Sequence, residues 1–231
     1  MATQVKTADE LLRQPAEYQD AVRKIVRSHA VNELYGAQVF DEPAIAYAPH
    51  PYAKWLTCRV AMEEYGHHVR FRQLGEEIGV PLEQMTPRAK RPLSIFEFPL
   101  KSWAEFCVIK LTADLAEIIQ VEDLAKCSFL PLRRLARMTM PEERFHAQFG
   151  EDFTAEFIKS GGKTEIQDAL DRYFPYLPAF FGRAGSSNNA IYRKWRIKLR
   201  SNEEMRDDYL RRVKLVCDKF ELKLPEVSQA A

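Results

Sequence analysis

Val60-Ala61-Met62-Glu63-Glu64-Tyr65-Gly66-His67-His68-Val69-Arg70-Phe71 sets a carboxylate and an imidazole three positions apart inside an apolar helical stripe. The stripe runs Val60, Glu64, His67, Phe71, Leu74 and Ile78, with its two polar members in the middle. A carboxylate facing a core is costly unless something compensates it. A metal ion, a hydrogen-bonded partner or water would each serve, and one Glu-x-x-His does not choose among them. A second copy does: Glu142-Glu143-Arg144-Phe145-His146 repeats the Glu-Glu-x-x-His pattern of residues 63–67.

Working outward, glycine is sparse (9 in 231 residues) and apolar residues recur at three and four, which predicts an all-α chain. A first long helix is expected over residues 16–40, with Val22, Val26, His29, Glu33, Gly36 and Phe40 on one face, ending before Asp41-Glu42-Pro43. Residues 44–51 read as a connection and 52–79 as the second long helix. Residues 80–100 hold four prolines and read as a long crossover with one helical turn near Ile95-Phe96-Glu97-Phe98. A third helix starts at Ser102, an N-cap with Glu105 at the capping-box spacing, and continues through Cys107, Asp114, Glu117 and Val121 to about Lys126. The fourth, 129–159, carries Leu132, Ala136, Thr139, Glu143, His146, Gly150, Phe153 and Phe157 on one face, with a kink or bulge expected at Pro141. A single long crossover between the second and third helices is the connection of a ferritin-like four-helix bundle. Smaller helices at 163–174, 189–199 and 203–220, with an aromatic corner at 173–181 and a loop at 182–189, are expected to pack on it. The reading is one domain over 1–231, a core bundle at about 16–160 and C-terminal helices at about 163–220.

Two Glu-x-x-His motifs on alternate helices, each preceded by a helix with an inward carboxylate, form the pattern of di-iron and di-manganese carboxylate bundles. Carboxylates accommodate and bridge divalent ions, imidazoles add neutral nitrogen ligands, and a spacing of three puts Glu and His on one helix face. From 33 to 64 is 31 positions, a helix-loop-helix return that brings Glu33 level with Glu64. From 114 to 143 is 29 positions and from 117 to 143 is 26, so spacing favours Asp114 as the fourth carboxylate and keeps Glu117 as a near-site acid. His68 and His29 read as core or surface histidines rather than ligands, and His50, in a proline-rich loop, carries no functional assignment. Cys58, Cys107, Cys127 and Cys217 are widely spaced and read as small apolar groups with reduced thiols.

Net charge is +1, with 46% hydrophobic and 29% charged residues, which gives no case for a nucleic-acid or membrane partner. The start lacks the apolar core of a signal peptide, and no apolar run approaches the roughly 20 residues a bilayer span needs, so a soluble cytoplasmic protein is expected.

The chain resembles the catalytic subunits of bacterial phenylacetyl-coenzyme A epoxidase, in the phenylacetic acid catabolic protein family of the ferritin-like di-iron superfamily. The carriers are residues 28–36 (Ser-His-Ala-Val-Asn-Glu-Leu-Tyr-Gly), Glu64-Tyr65-Gly66-His67, residues 94–99 (Ser-Ile-Phe-Glu-Phe-Pro) with Ser102-Trp103-Ala104, and Asp114-Leu115-Ala116. Glu142-Glu143-Arg144-Phe145-His146, Trp195-Arg196-Ile197-Lys198 and Asn202-Glu203-Glu204 complete the set, so the likeness extends from about residue 18 to residue 213. Residue by residue it implies Glu33, Glu64, His67, Asp114, Glu143 and His146 as metal ligands, with the four carboxylates shifting during catalysis. It further implies two iron ions, with manganese as the alternative, no tightly bound organic cofactor, dioxygen and an aromatic acyl-CoA as substrates, and a separate flavin and iron-sulfur reductase. A related structural subunit, or a second copy, is the implied partner. This chain departs from the family at residues 60–64, Val-Ala-Met-Glu-Glu in place of the usual Lys-Val-Gln-Asp-Glu, and is shorter at its C-terminus, which bears on substrate and partner rather than on the metal.

The segment 183–200 holds Arg193, Lys194, Arg196 and Lys198 with Tyr192 and Trp195 interleaved and no acid. It reads either as a cradle for coenzyme A phosphates or as a solvated basic face. Three other readings stay open at this level: two are an iron oxidase of the ferritin kind and a paralogous di-metal oxygenase on another substrate. A scaffold subunit without turnover is the third.

Overall fold

Four long helices carry the molecule, each of which dips from one apolar cluster through a polar layer into another. The computed structural model describes residues 4–87 and 93–226. A short α1 (Ala8–Leu12) precedes α2 (Ala16–Gly36), α3 (Glu42–Tyr47) and α4 (Pro51–Glu77). Then come α5 (Trp103–Leu124), α6 (Leu130–Lys159), α7 (Lys163–Tyr173), α8 (Ser187–Lys194) and α9 (Asn202–Lys219). The long elements are all helical, as expected, with 3₁₀ segments at Leu82–Met85, Ser94–Glu97 and Phe174–Phe181. The middle of the crossover, 88–92, lies outside the described residues. Among the described residues no helix is long and apolar enough to cross a membrane.

Local chemistry sets the starts. Ser102 Oγ accepts from the Glu105 N–H at 3.2 Å, and the Glu105 carboxylate accepts from the Lys101 N–H at 2.7 Å, tying down two donors at the head of α5. His50, without an assigned role in the sequence, N-caps α4: its Nδ1 accepts from the Ala53 N–H at 3.1 Å, and Pro51 fills the first helical position. Ser201 and Glu204 form a full capping box on α9.

Helix α2 does not stop before Asp41-Glu42-Pro43. A π turn, Ala37–Asp41, joins it to α3, with the Glu42 N–H reaching back to the Ala37 carbonyl. Pro43, which lacks an N–H and crowds the preceding turn, is accommodated because that turn is already widened. Helix α6 is assigned without a break across Pro141, so the irregular turn beside the polar layer belongs to α2 instead. The basic helix is shorter than expected, ending at Lys194, after which Arg196 adopts a positive φ of 55°.

Helix α2 lies along α4, α5 lies along α6, and α4 meets α6; α7 and α9 cover α5, and α8 leans on α2. One apolar cluster gathers Val22, Val26, Phe71, Leu74, Val121, Leu132 and Ala136; the other gathers Phe40, Val60, Cys107, Phe149 and Phe153. Between them, on the same helices, lie Glu33, Glu64, His67, Asp114, Glu143 and His146, all buried. The four cysteines are free; three are buried, whereas Cys58 is exposed rather than packed. His68 is a core histidine bonded to the Ala30 carbonyl at 2.7 Å.

Gly150 sets the distance between α5 and α6. A Cβ there would stand 2.3 Å from the Leu111 backbone nitrogen and 2.4 Å from the Lys110 carbonyl carbon, and backbone cannot swing aside as a side chain can. Gly150→Ala is therefore expected to cost about 2–4 kcal/mol and to lower metal content with it, because Lys110 and Asp114 would be pushed away from Glu143 and His146. Thermal melts paired with metal analysis check this, and an unchanged melting temperature would refute it.

Candidate metal centre

The two Glu-Glu-x-x-His motifs face each other across α4 and α6, and each orients the histidine of the other. The His67 Nε2–H donates to Glu142 at 2.8 Å, and the His146 Nε2–H donates to Glu63 at 2.9 Å. Each of these outer acids is anchored by an arginine: Arg70 donates twice to Glu142, at 2.6 and 3.1 Å, and Arg59 donates to Glu63 at 2.8 Å. Donation from Nε2 leaves the lone pair on Nδ1, so both rings present a ligand nitrogen to the interior.

Inside, the donors converge. His67 Nδ1 is 3.0 Å from Glu143 Oε1, 3.5 Å from Glu64 Oε2 and 3.7 Å from Glu33 Oε2. His146 Nδ1 is 3.0 Å from Glu64 Oε1. Glu64 thus turns one oxygen to each imidazole, the placement of a bridging carboxylate. Asp114 stands on the His146 side, tied with Glu64 to the Lys110 ammonium. The Nδ1 atoms of His67 and His146 and the Oδ2 atom of Asp114 are buried and make no hydrogen bond. Buried nitrogen and oxygen donors gathered this closely fit divalent cations, which can satisfy several of them at once. Glu33, Glu64, His67 and Glu143 offer ligand atoms that all lie within 4.8 Å of one another.

The electrostatics agree. Burial disfavours charge on His67, yet Glu143, Glu142 and Glu33 hold it well above the ordinary imidazole value. Burial disfavours charge on His146 too, but Glu64 and Glu63 raise it to about 10. Burial lifts Glu143 to about 7 and Asp114 well above the usual range, whereas at Glu64 the charges of Lys110 and His146 outweigh burial and hold it well below. Without metal, then, protons on the two rings do the work of the missing positive charge, and a bound cation would expel them.

All six residues singled out as ligands meet in this layer. Glu117, the alternative to Asp114, turns instead to His29, 3.3 Å away, which stacks on Phe71 and lies 3.8 Å from Glu33. The basic segment is not gathered into one place. Arg193, Lys194 and Arg196 are exposed, with Lys194 paired to Glu17, and only Lys198 is buried, donating to Gln120 at 3.1 Å. Sequence reasoning missed Lys110, Asp41 and the outer pair Glu63 and Glu142. The doubled acid in both motifs was a signal for the outer pair, and a lysine four residues before Asp114 in an otherwise apolar run was one for Lys110.

Two cavities adjoin the centre. One, of roughly 70 Å³, has an apolar wall of Phe40, Leu93, Phe96, Ile109 and Phe180 facing Glu33, Glu64, Asp114 and Glu143. The other, of roughly 280 Å³, shares Asn32, Leu93, Gln120 and Phe180 with it and adds Lys24, Arg27, Tyr192 and Lys198.

A family model for phenylacetic acid catabolic proteins matches residues 4–231. Over 204 residues the chain is 27% identical to one of the subunits of the 1,2-phenylacetyl-CoA epoxidase of Escherichia coli (strain K12). That match takes in 85% of this chain and 66% of the relative, so the chain spans just under two-thirds of the length of the curated protein it matches.

The raised imidazoles fix a pH dependence. A histidine whose folded value is lifted from 6.5 to about 10 stabilises fully below pH 6.5 and loses that contribution as pH rises through 10; His29, lifted to about 9 by Glu117 and Glu33 against its burial, acts in the same direction. Metal-free protein is therefore expected to melt lower at pH 9.5 than at pH 6.5, by roughly 5–10 °C, and divalent metal is expected to remove most of the difference. Calorimetric melts with and without metal measure it; a flat or rising profile without metal would count against the charge assignment.

Proposed function

The chain belongs to the phenylacetic acid catabolic protein family, and from that premise we propose that it is the oxygen-activating component of an aromatic acyl-CoA epoxidase, with two iron ions held by Glu33, Glu64, His67, Asp114, Glu143 and His146. The observation that carries the metal part is the pair of buried, unbonded Nδ1 atoms aimed at shared carboxylates. Such iron ions, when bound, supply the electrons and the open coordination position at which dioxygen is activated.

The chain's own residues do the rest. Glu142 and Glu63 keep both rings in the tautomer that leaves Nδ1 free, and Arg70 and Arg59 keep those acids ionised: burial opposes this, but Glu142 is held at about 2 by His67 and Arg70, and Glu63 is lowered by His146 and Arg59. Glu33, Glu64, Asp114 and Glu143 would hold the cations. Phe40, Phe96, Phe180 and Ile109 form a dry wall beside the centre, suited to an aromatic ring and to the exclusion of water. The wider cavity behind Phe180 bears Lys24, Arg27 and Lys198, cations suited to the phosphates of coenzyme A. The thioester site on this reading lies toward α2, with Lys198 in it and Arg193, Lys194 and Arg196 on the solvated face.

The relative's name makes it one component of a multi-subunit enzyme. By extension this chain is assigned a structural partner together with a separate flavin and iron-sulfur reductase, acts as one domain and works in the cytoplasm. A ferritin-like iron oxidase is the second reading, favoured by His29, Glu33 and Glu117, which converge closely enough to receive a further ion on the cavity side of the centre.

Purified protein loaded anaerobically with ferrous iron is expected to hold about two ions per chain, and Glu64→Ala fewer than about one. With a reductase, the structural partner and dioxygen, the loaded protein should convert phenylacetyl-CoA to its epoxide, read by mass spectrometry, and Glu64→Ala should lose at least about 100-fold in rate. Metal content unchanged in Glu64→Ala would sink the centre. Iron oxidation without any thioester product would transfer the assignment to the second reading.

A further inference from the structure

Lys110 is 2% exposed, yet its ammonium is surrounded by acids from three helical segments: Glu64 Oε1 at 2.8 Å, Asp114 Oδ2 at 3.0 Å and Asp41 Oδ1 at 3.3 Å. Only Glu64 receives a hydrogen bond from it; the Asp114 and Asp41 oxygens are buried and unbonded. Glu64 Oε1 is also the oxygen 3.0 Å from His146 Nδ1. The ammonium therefore stands against the donors of one half of the centre, the half formed with Asp114 and His146. The other half, Glu33, Glu64, His67 and Glu143, is already gathered within 4.8 Å, and Lys110 meets it only at Glu64 Oε1, whereas His67 faces Glu64 Oε2.

We propose that Lys110 makes the centre fill in order: a first divalent cation enters the Glu33–His67 half freely, and a second, at the Asp114–His146 half, has to displace the Lys110 ammonium onto Asp41. This rests on the metal reading above and adds to it an asymmetry between the halves. An ammonium and a divalent cation repel strongly at contact distance in a dry interior, so they do not share the oxygens of Glu64 and Asp114 at full strength. Lys110 is buried and lines the smaller cavity beside the centre. Asp41 is the acid beside it that lies outside the ligand set, and the π turn Ala37–Asp41 sets it at the edge of the centre. Charge supports the same sequence. Five buried acids, Glu33, Asp41, Glu64, Asp114 and Glu143, face one ammonium, and the remaining four negative charges equal those of two divalent cations once the imidazoles are neutral. Lys110 and Asp41 can thus pair off as a neutral unit while the four ligand carboxylates answer the two ions.

The test is a titration of the metal-stripped full chain with cobalt(II), followed by calorimetry and by the visible absorption of the bound ion. The wild type is expected to bind two ions in separate steps, the second at least about tenfold weaker. Lys110→Met should tighten the second step by about tenfold or more, and Asp41→Asn, which deprives the ammonium of its refuge, should weaken it by a similar factor while leaving the first step in place. Should Lys110→Met fail to fold, Asp41→Asn decides alone. Two equal steps in the wild type, or a second step that is unmoved or moved the other way in a folded variant, overturns the ordering. No cobalt bound by the wild type overturns the metal reading itself, so the two failures are told apart.

Discussion

Burial of several acids around one point between four helices is the constraint on which the remaining structure depends. Each such carboxylate would cost several kcal/mol if left uncompensated, more than single packing contacts return. The fold tolerates the layer because compensation is supplied from every side. Imidazoles stand between the inner and outer acids, Arg59 and Arg70 back the outer ones, and Lys110 enters from α5. The apolar clusters above and below lower the local dielectric, which strengthens those pairings and sharpens the need for positive charge. Close approach of α5 and α6 at Gly150 belongs to the same constraint, since it is what brings Asp114 level with Glu143 and His146.

The amphipathic helices were legible because they bury one stripe. Val60, Glu64, His67, Phe71, Leu74 and Ile78 fall on a single buried face of α4, and the corresponding stripe of α6 holds as far as Phe153. Spacing across the loops was enough to expect Glu33 and Asp114 in the same buried layer as Glu64 and Glu143, where they lie. Helix α5 was different. It is buried almost all round, from Trp103 to Leu124, so periodicity gives it no phase and does not mark which way Lys110 faces. The π turn was hidden for another reason: Asp41-Glu42-Pro43 carries a stop signal, and nothing local reveals that a widened turn lets the helix pass it. Sequence alone left two readings of the basic run 193–198, because proximity in sequence is lost where the chain leaves α8 through the left-handed Arg196.

The crossed hydrogen bonds between the two motifs have an evolutionary meaning. His67 is oriented by Glu142 and His146 by Glu63, so neither hairpin contains the acid that aligns its own imidazole. A half-molecule cut between α4 and α5 would carry a histidine without its tether. Substitution at either outer acid is felt first on the opposite helix. Residues 63 and 146, and likewise 67 and 142, should therefore change together among descendants of this chain, far apart in sequence yet inherited as single units.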